Sequence, residues 1–120
     1  MKLNTFLETL YGENDLKDDV IDIILNHIDD YENPITFLEE VLQYGCQSGI
    51  VPELMYFTQT KCFFIHHIDK IFEIYNEIKN DLDCDVEIDS NYLSWLAFEY
   101  IVGEIYNEVT IAEYEEIIED

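Results

Sequence analysis

The sequence predicts a mainly α protein, a compact bundle of about five to six helices with one short extended segment near residues 82–88. Three observations predict it. Apolar residues recur at helical spacing along most of the chain. Pro, Gly and Asn punctuate those stretches at short intervals. And 48% of the 120 residues are hydrophobic, with nine Tyr and seven Phe to fill a core. One domain spanning 1–120 is expected.

Leu3, Phe6, Leu7 and Leu10 share a helix face, and Gly12 follows as a stop. Asp15 is placed to cap a second helix whose stripe is Leu16, Val20, Ile23, Ile24 and Ile28. Asn33-Pro34 marks a boundary, and Pro34 suits the first turn of a helix with Phe37, Leu38, Val41 and Leu42 on one side. Gly45-Cys46-Gln47-Ser48-Gly49 reads as a loop, and Pro52 opens a short helix through Leu54-Met55-Tyr56-Phe57. The longest helix is expected from Thr60 to Asn80, with Phe64, Ile68, Ile71, Phe72, Tyr75 and Ile78 inward. Asp89 or Ser90 caps a helix lined by Leu93, Leu96, Ala97, Tyr100, Ile101 and Ile105, which Gly103 weakens locally. Residues 111–120 read as a short acidic helix.

Charge is the unusual feature. Twenty-eight Asp and Glu face five Lys and no Arg, a formal net charge of -23. Self-repulsion on this scale opposes folding. It also excludes direct binding to nucleic acid or to an anionic membrane, both of which need a basic footprint. Met1 to Phe6 begins no secretory signal, and no apolar run approaches a membrane span. Cys46, Cys62 and Cys84 form no CxxC and suit a reducing compartment, so the cytoplasm is expected.

Within residues 81–89, Asp81, Asp83, Asp85, Glu87 and Asp89 alternate with Leu82, Cys84, Val86 and Ile88. In an extended segment the carboxylates share one side, roughly 6.6 Å apart, close to the separation of neighbouring phosphates on a nucleic-acid strand. Read as an EF-hand loop the stretch fails at its two diagnostic positions. Val86 stands where Gly makes the sharp turn, and Tyr92 where a bidentate Glu belongs. Asp69, Glu73 and Glu77 repeat at i, i+4 upstream, and Asp81 continues that row. Asp18 and Asp22 make a similar pair, followed by Asp29 and Asp30. Each like-charged pair costs a helix about 0.2–0.5 kcal/mol. Glu113, Glu115, Glu116, Glu119 and Asp120 also oppose the usual preference for cations at a helix C-terminus. The bland reading of all these groups is a solvated surface.

Little else points to chemistry. Cys62 and His66 at i, i+4 could supply two metal ligands on one helix face. On a continuous helix His67 points elsewhere and Asp69 lies one residue off, so no metal or other cofactor is expected. Cys46 beside Ser48 has no elbow motif and no orienting partner. No P-loop or dinucleotide fingerprint is present. The chain reads as a binding protein and not an enzyme.

Tyr44-Gly45-Cys46-Gln47-Ser48-Gly49-Ile50-Val51, followed by Leu54-Met55-Tyr56-Phe57-Thr58-Gln59-Thr60, resembles an uncharacterised family of small phage and prophage proteins. Their shared core reads approximately HGCxSGMVxxLIYYxDTHxFYxxHYDEIEEL. Phe63, Phe64, His67, Asp69 and Ile71 fall in step with it, and Ser94-Trp95-Leu96-Ala97-Phe98-Glu99 resembles the family's later WLAWFGFEE segment. The similarity covers residues 33–108 approximately. Tyr44 stands where many relatives carry His, and this chain has more acid. The resemblance implies origin and fold, and it carries no assigned activity.

Phage origin, small size and extreme acidity together give an expectation of function. The chain would be an anti-defence inhibitor that mimics DNA. Its partner would be a basic nucleic-acid-binding protein of the host, either a CRISPR effector of the Cas9 type or a restriction enzyme. Asp69, Glu73, Glu77, Asp81, Asp83, Asp85, Glu87 and Asp89 are the expected contact residues, with Glu113, Glu115, Glu116 and Glu119 next. They would pair with Arg and Lys that otherwise hold phosphate. The alternative is a phage adaptor that docks on a host factor through an apolar groove, its acidity serving only solubility. The sequence leaves the oligomeric state open.

Overall fold

Leu3, Leu7, Leu16, Val20, Ile21 and Ile24 are buried together with residues from much later in the chain, in one apolar cluster. The protein is seen here in a computed structural model that describes residues 1–28, 38–39, 42, 61–81 and 88–118. The elements with defined bounds are α1 (Leu3–Glu8), α2 (Asp15–Ile28), α3 (Lys61–His66), α4 (Ile68–Ile78), a 3-10 turn (Lys79–Asp81) and α5 (Ser90–Tyr114). Leu38, Glu39 and Leu42 are helical as well, and no strand occurs among the described residues. The fold is mainly α, as the periodicity predicts.

α5 is the central element. Trp95, Ala97, Phe98, Ile101, Val102, Ile105 and Val109 are buried along it, and α2, α3 and α4 pack against it. The expected inward face was narrower and included Leu96 and Tyr100, which are only partly buried. A helix surrounded by neighbours buries more than one stripe. Asp89 caps it, its side chain accepting a hydrogen bond from Tyr92 N at 2.8 Å. Gly103 sits in its middle, where an added Cβ would meet only Leu42 Cδ2, at 3.8 Å. That is an ordinary contact. Gly103→Ala should therefore stabilise the protein by about 0.5–1 kcal/mol, measured by urea denaturation.

The α1–α2 corner is built by side chains. Gly12 takes a φ of 100°, open to glycine and strained for other residues. Its N–H donates to Asp18 Oδ1 at 2.9 Å, and Tyr11 Oη donates to Asp22 Oδ1 at 2.5 Å. The Asp18 and Asp22 pair thus fastens this corner, a folding role that the charge pattern alone did not indicate. The cap of α2 is Asn14 and not Asp15: Asn14 Oδ1 accepts from Lys17 N at 2.8 Å. Asp15 sits inside the first turn, where a carboxylate favours the helix dipole. Of the expected α2 stripe, Leu16, Val20 and Ile24 are fully buried and Ile23 partly; Ile21 joins them, and the Ile28 side chain lies outside the described residues.

The single long helix expected from Thr60 to Asn80 is two helices. His67 breaks it, with φ -113° and ψ 18°. Its N–H still donates to Phe63 O at 3.2 Å and its C=O accepts from Ile71 N at 2.9 Å, so bonds of helical spacing reach His67 from both sides of the break. Neither Pro nor Gly is present. The kink coincides with the buried His67 imidazole reaching α2. The buried face runs Phe63, His67, Ile71 and Ile74, at the spacing of one helix stripe on both sides of the break. Ile71 and Ile74 are buried, whereas Ile68 is 38% and Phe72 42% exposed, against the expectation that both pack inward.

Of the short acidic helix expected over 111–120, the described residues 111–118 form no separate helix. Ile111 to Tyr114 are the last turn of α5. Beyond it Glu116 adopts φ 62°. Glu116 N donates to Glu113 O at 3.1 Å and Ile117 N to Ala112 O at 2.8 Å, the pair of bonds that closes a helix end around a left-handed residue. Ile118 then turns back into the core. The boundary at Asn33-Pro34, the Gly45–Gly49 loop and the short helix after Pro52 lie outside the described residues, as does the extended segment at 82–87.

Candidate functional site

Asp69, Glu73 and Glu77 lie on one face of α4, and Asp81 continues the line in the 3-10 turn. All four are exposed. Four residues of helix rise about 6 Å, so the carboxylates form an evenly stepped file. Two of them have partners. Lys70 Nζ is 3.1 Å from Glu73 Oε1, a surface ion pair that neutralises little of the row. Tyr100 Oη, on α5, donates to Glu77 Oε2 at 3.1 Å. That hydrogen bond raises the Tyr100 phenol above its ordinary pKa, with burial adding to it. Ile65, Ile68 and Phe72 border the file as exposed apolar groups.

The other expected contact residues divide. Asp83, Asp85, Glu87 and Glu119 lie outside the described residues. Asp89 is exposed, but it caps α5. Glu113, Glu115 and Glu116 are exposed at the far end of α5. About 21 Å of helix separates Tyr114 from Tyr100, which touches Glu77, so the C-terminal group is remote from the file.

Two of the chain's five lysines lie on the elements that carry the file, Lys70 paired with Glu73 and Lys79 exposed in the same 3-10 turn as Asp81. Lys17 is buried, its side chain 3% exposed, with Nζ 2.6 Å from Glu13 Oε2 and 3.2 Å from Glu108 Oε2. Burial pulls the Lys17 ammonium down; the hydrogen bonds to both carboxylates and their charges outweigh it and hold it above its ordinary value. Its hydrogen bond and charge hold Glu13 below the usual carboxylate range.

Three cavities among the described residues flank α3 and α4, the smallest, of about 300 Å³, between the start of α2 and residues 65–70. One, of about 440 Å³, is lined by Asp19, Asp22, Cys62, Phe63, His66 and His67 among others. In it His67 Nε2 and Asp19 Oδ2 share a hydrogen bond at 2.5 Å, and the His66 and His67 rings lie 4.6 Å apart, nearly perpendicular. The sequence pointed to Cys62 and His66 and left His67 facing away. The kink at His67 reverses that, and the third group comes from Asp19 on α2, which no local pattern marks. The largest of the three, of about 510 Å³, is lined by Asp81, Glu99, Tyr100 and Glu104 among others. Burial raises the Glu99 carboxyl against a 2.9 Å hydrogen bond from Trp95 Nε1. Burial also raises Glu104, with the nearby Lys17 opposing.

Fold and surface together define a small mainly α protein with an acidic, aromatic-tethered helix face. Among the described residues no helix is long and apolar enough to cross a membrane. The chain belongs to the family described as a domain of unknown function, DUF7222, which it matches over residues 13–111. No curated protein and no solved structure matches it.

Proposed function

We propose that the chain is a phage-type inhibitor of host defence that mimics DNA and occupies the basic nucleic-acid channel of a CRISPR effector or a restriction nuclease. The observation that carries the proposal is the exposed file Asp69, Glu73, Glu77 and Asp81 on α4 and its 3-10 turn. It puts stepped negative charge on a rigid helix, in a chain of net charge -23. Arg and Lys that grip phosphate can pair with such carboxylates, and the field of the whole chain steers association. Asp83, Asp85 and Glu87 follow Asp81 in the sequence and are part of this proposal. A non-catalytic role, a phage origin and action in the bacterial cytoplasm belong to the same proposal.

Affinity capture from bacterial lysate with elution in salt steps tests it. The parent chain should hold a nuclease or another DNA-binding protein that moderate salt releases. A variant carrying Asp69→Asn, Glu73→Gln, Glu77→Gln and Asp81→Asn should lose that partner and melt no lower than the parent. Retention of the partner by this variant overturns the proposal. So does a parent partner with no nucleic-acid function. A second reading rests on the exposed Ile65, Ile68 and Phe72. An adaptor docking through them would hold its partner in high salt and lose it on Phe72→Ser.

A further inference from the structure

We propose that Asp19, His66 and His67 form a binding site for a borderline divalent transition-metal ion, of which Zn²⁺ is the type. One ligand atom from each residue lies within 4.8 Å of the others. Ligands around tetrahedral Zn²⁺, at about 2.0–2.1 Å from the metal, stand about 3.3 Å from each other. Closing the set thus needs only side-chain rotations.

The burial of the three groups shows how that closure would proceed. His67 is the fixed member, its side chain 3% exposed and its ring edge-on to Phe63 at 5.1 Å between centroids. Asp19 is about half exposed, and His66 is exposed. The two outer ligands can therefore swing onto a metal held at His67. Adjacent residues on a regular helix point about 100° apart. The kink at His67 brings two neighbouring imidazoles to 4.6 Å between ring centroids, over a carboxylate 48 positions earlier in the chain. In the metal-bound form His67 Nε2 and Asp19 Oδ2 both turn a lone pair to the ion, His67 keeps a single proton on Nδ1, any other proton of the pair passes to solvent, and both imidazoles are neutral.

The donors select the ion. Two nitrogens and one oxygen suit Zn²⁺ and its neighbours, whereas Ca²⁺ and Mg²⁺ require oxygen ligands throughout. Three protein ligands leave a fourth position for water or a small ligand, beside a cavity of about 440 Å³. Cys62 lines that cavity, but its thiol is not one of the three clustered groups.

The confounding effect is the diffuse attraction of any cation to a chain of net charge -23. The test uses the full chain, stripped with chelator and dialysed, and titrated calorimetrically with Zn²⁺, with Ca²⁺ and Mg²⁺ in parallel. We expect one Zn²⁺ per chain and a rise in melting temperature that equal Ca²⁺ or Mg²⁺ does not produce. His66→Ala should weaken Zn²⁺ at least about tenfold. Because His66 is exposed, that variant should melt like the parent in chelator. Asp19→Asn, which can keep the hydrogen bond to His67, should weaken Zn²⁺ similarly, and Cys62→Ser should leave it unchanged. Co²⁺ should give visible absorption of a low-coordinate site in the parent and not in His66→Ala. The proposal is overturned if His66→Ala binds Zn²⁺ like the parent, if Ca²⁺ matches Zn²⁺, or if Asp69→Asn with Glu73→Gln removes the binding as effectively as His66→Ala. None of these outcomes depends on the nuclease-inhibitor proposal.

Discussion

Replacing Glu13 and Glu108 together by alanine should cost about 3 kcal/mol in urea denaturation, whereas Lys17→Met should cost less than half of that. The asymmetry follows from which partner is buried. The Lys17 side chain is 3% exposed, while Glu13 and Glu108 are 60% and 43% exposed. Remove the lysine, and both carboxylates turn to water. Remove the carboxylates, and an ammonium stays in the interior without its hydrogen-bonded counterions, the more expensive half of any buried pair. Glu104 is near enough to influence the same site and would compensate in part. Methionine retains the apolar stem of Lys17 and most of its packing. Equal losses in the two variants would mean that the lysine contributes through charge alone.

Lowering the pH from 7 to about 5 should raise the melting temperature. The folded-state pKa values of Glu99 and Glu104 are raised, mainly by burial. A carboxyl raised on folding contributes stability that is full below its unfolded pKa and is lost as the pH rises through its folded value. Acidification toward 5 therefore recovers stability at both sites. Glu13 has the opposite sign. Its lowered pKa gives stability that persists above the ordinary glutamate range, near about 4.3, and disappears only below it. Lys17 is raised, so its contribution is present throughout the window and fails only at strongly alkaline pH. Relief of the general repulsion among carboxylates adds in the same direction. A gain of about 1 kcal/mol would read as about 4 °C in a chain of this size. Glu99→Gln with Glu104→Gln should flatten the rise. A melting temperature that falls between pH 7 and 5 in the parent would overturn this account.

The helical class, the starts of α1, α2 and α5, and most of the α5 face were legible because they depend on local periodicity and capping. Asn14 shows the limit of that resolution. Two neighbouring residues could each cap, and only the geometry of Lys17 N decides between them. The kink at His67 was not legible, since its partner Asp19 is 48 residues away and no breaker residue marks it. Ile68 and Phe72 were put inside because they continue the apolar spacing from Phe64, whereas the buried stripe runs from Phe63 through the polar His67 to Ile71 and Ile74. The C-terminal end was misread for a different reason. Its closing residue is Glu116, where glycine would have announced the turn. Within the candidate site, the file from Asp69 to Asp81 followed from i, i+4 spacing and the cap at Asp89 from its place before an apolar stripe, but the folding roles of Asp18 and Asp22 did not. A carboxylate that caps or fastens cannot be told from a solvated one by counting charges.

The tyrosine hydroxyls that reach carboxylates have a thermodynamic consequence. Tyr11 bonds Asp22, Tyr100 bonds Glu77 and Tyr106 bonds Glu39. A phenol on a side chain with only two rotatable bonds restricts the rotamers of the acid that accepts its hydrogen bond. The ordering entropy of those acids is thus spent during folding, before any cationic surface arrives. A partner that meets them need not immobilise them, so more of each contact remains as affinity. For the cationic partner proposed above, Tyr100→Phe would leave every charge in place and weaken association through the restored freedom of Glu77 alone.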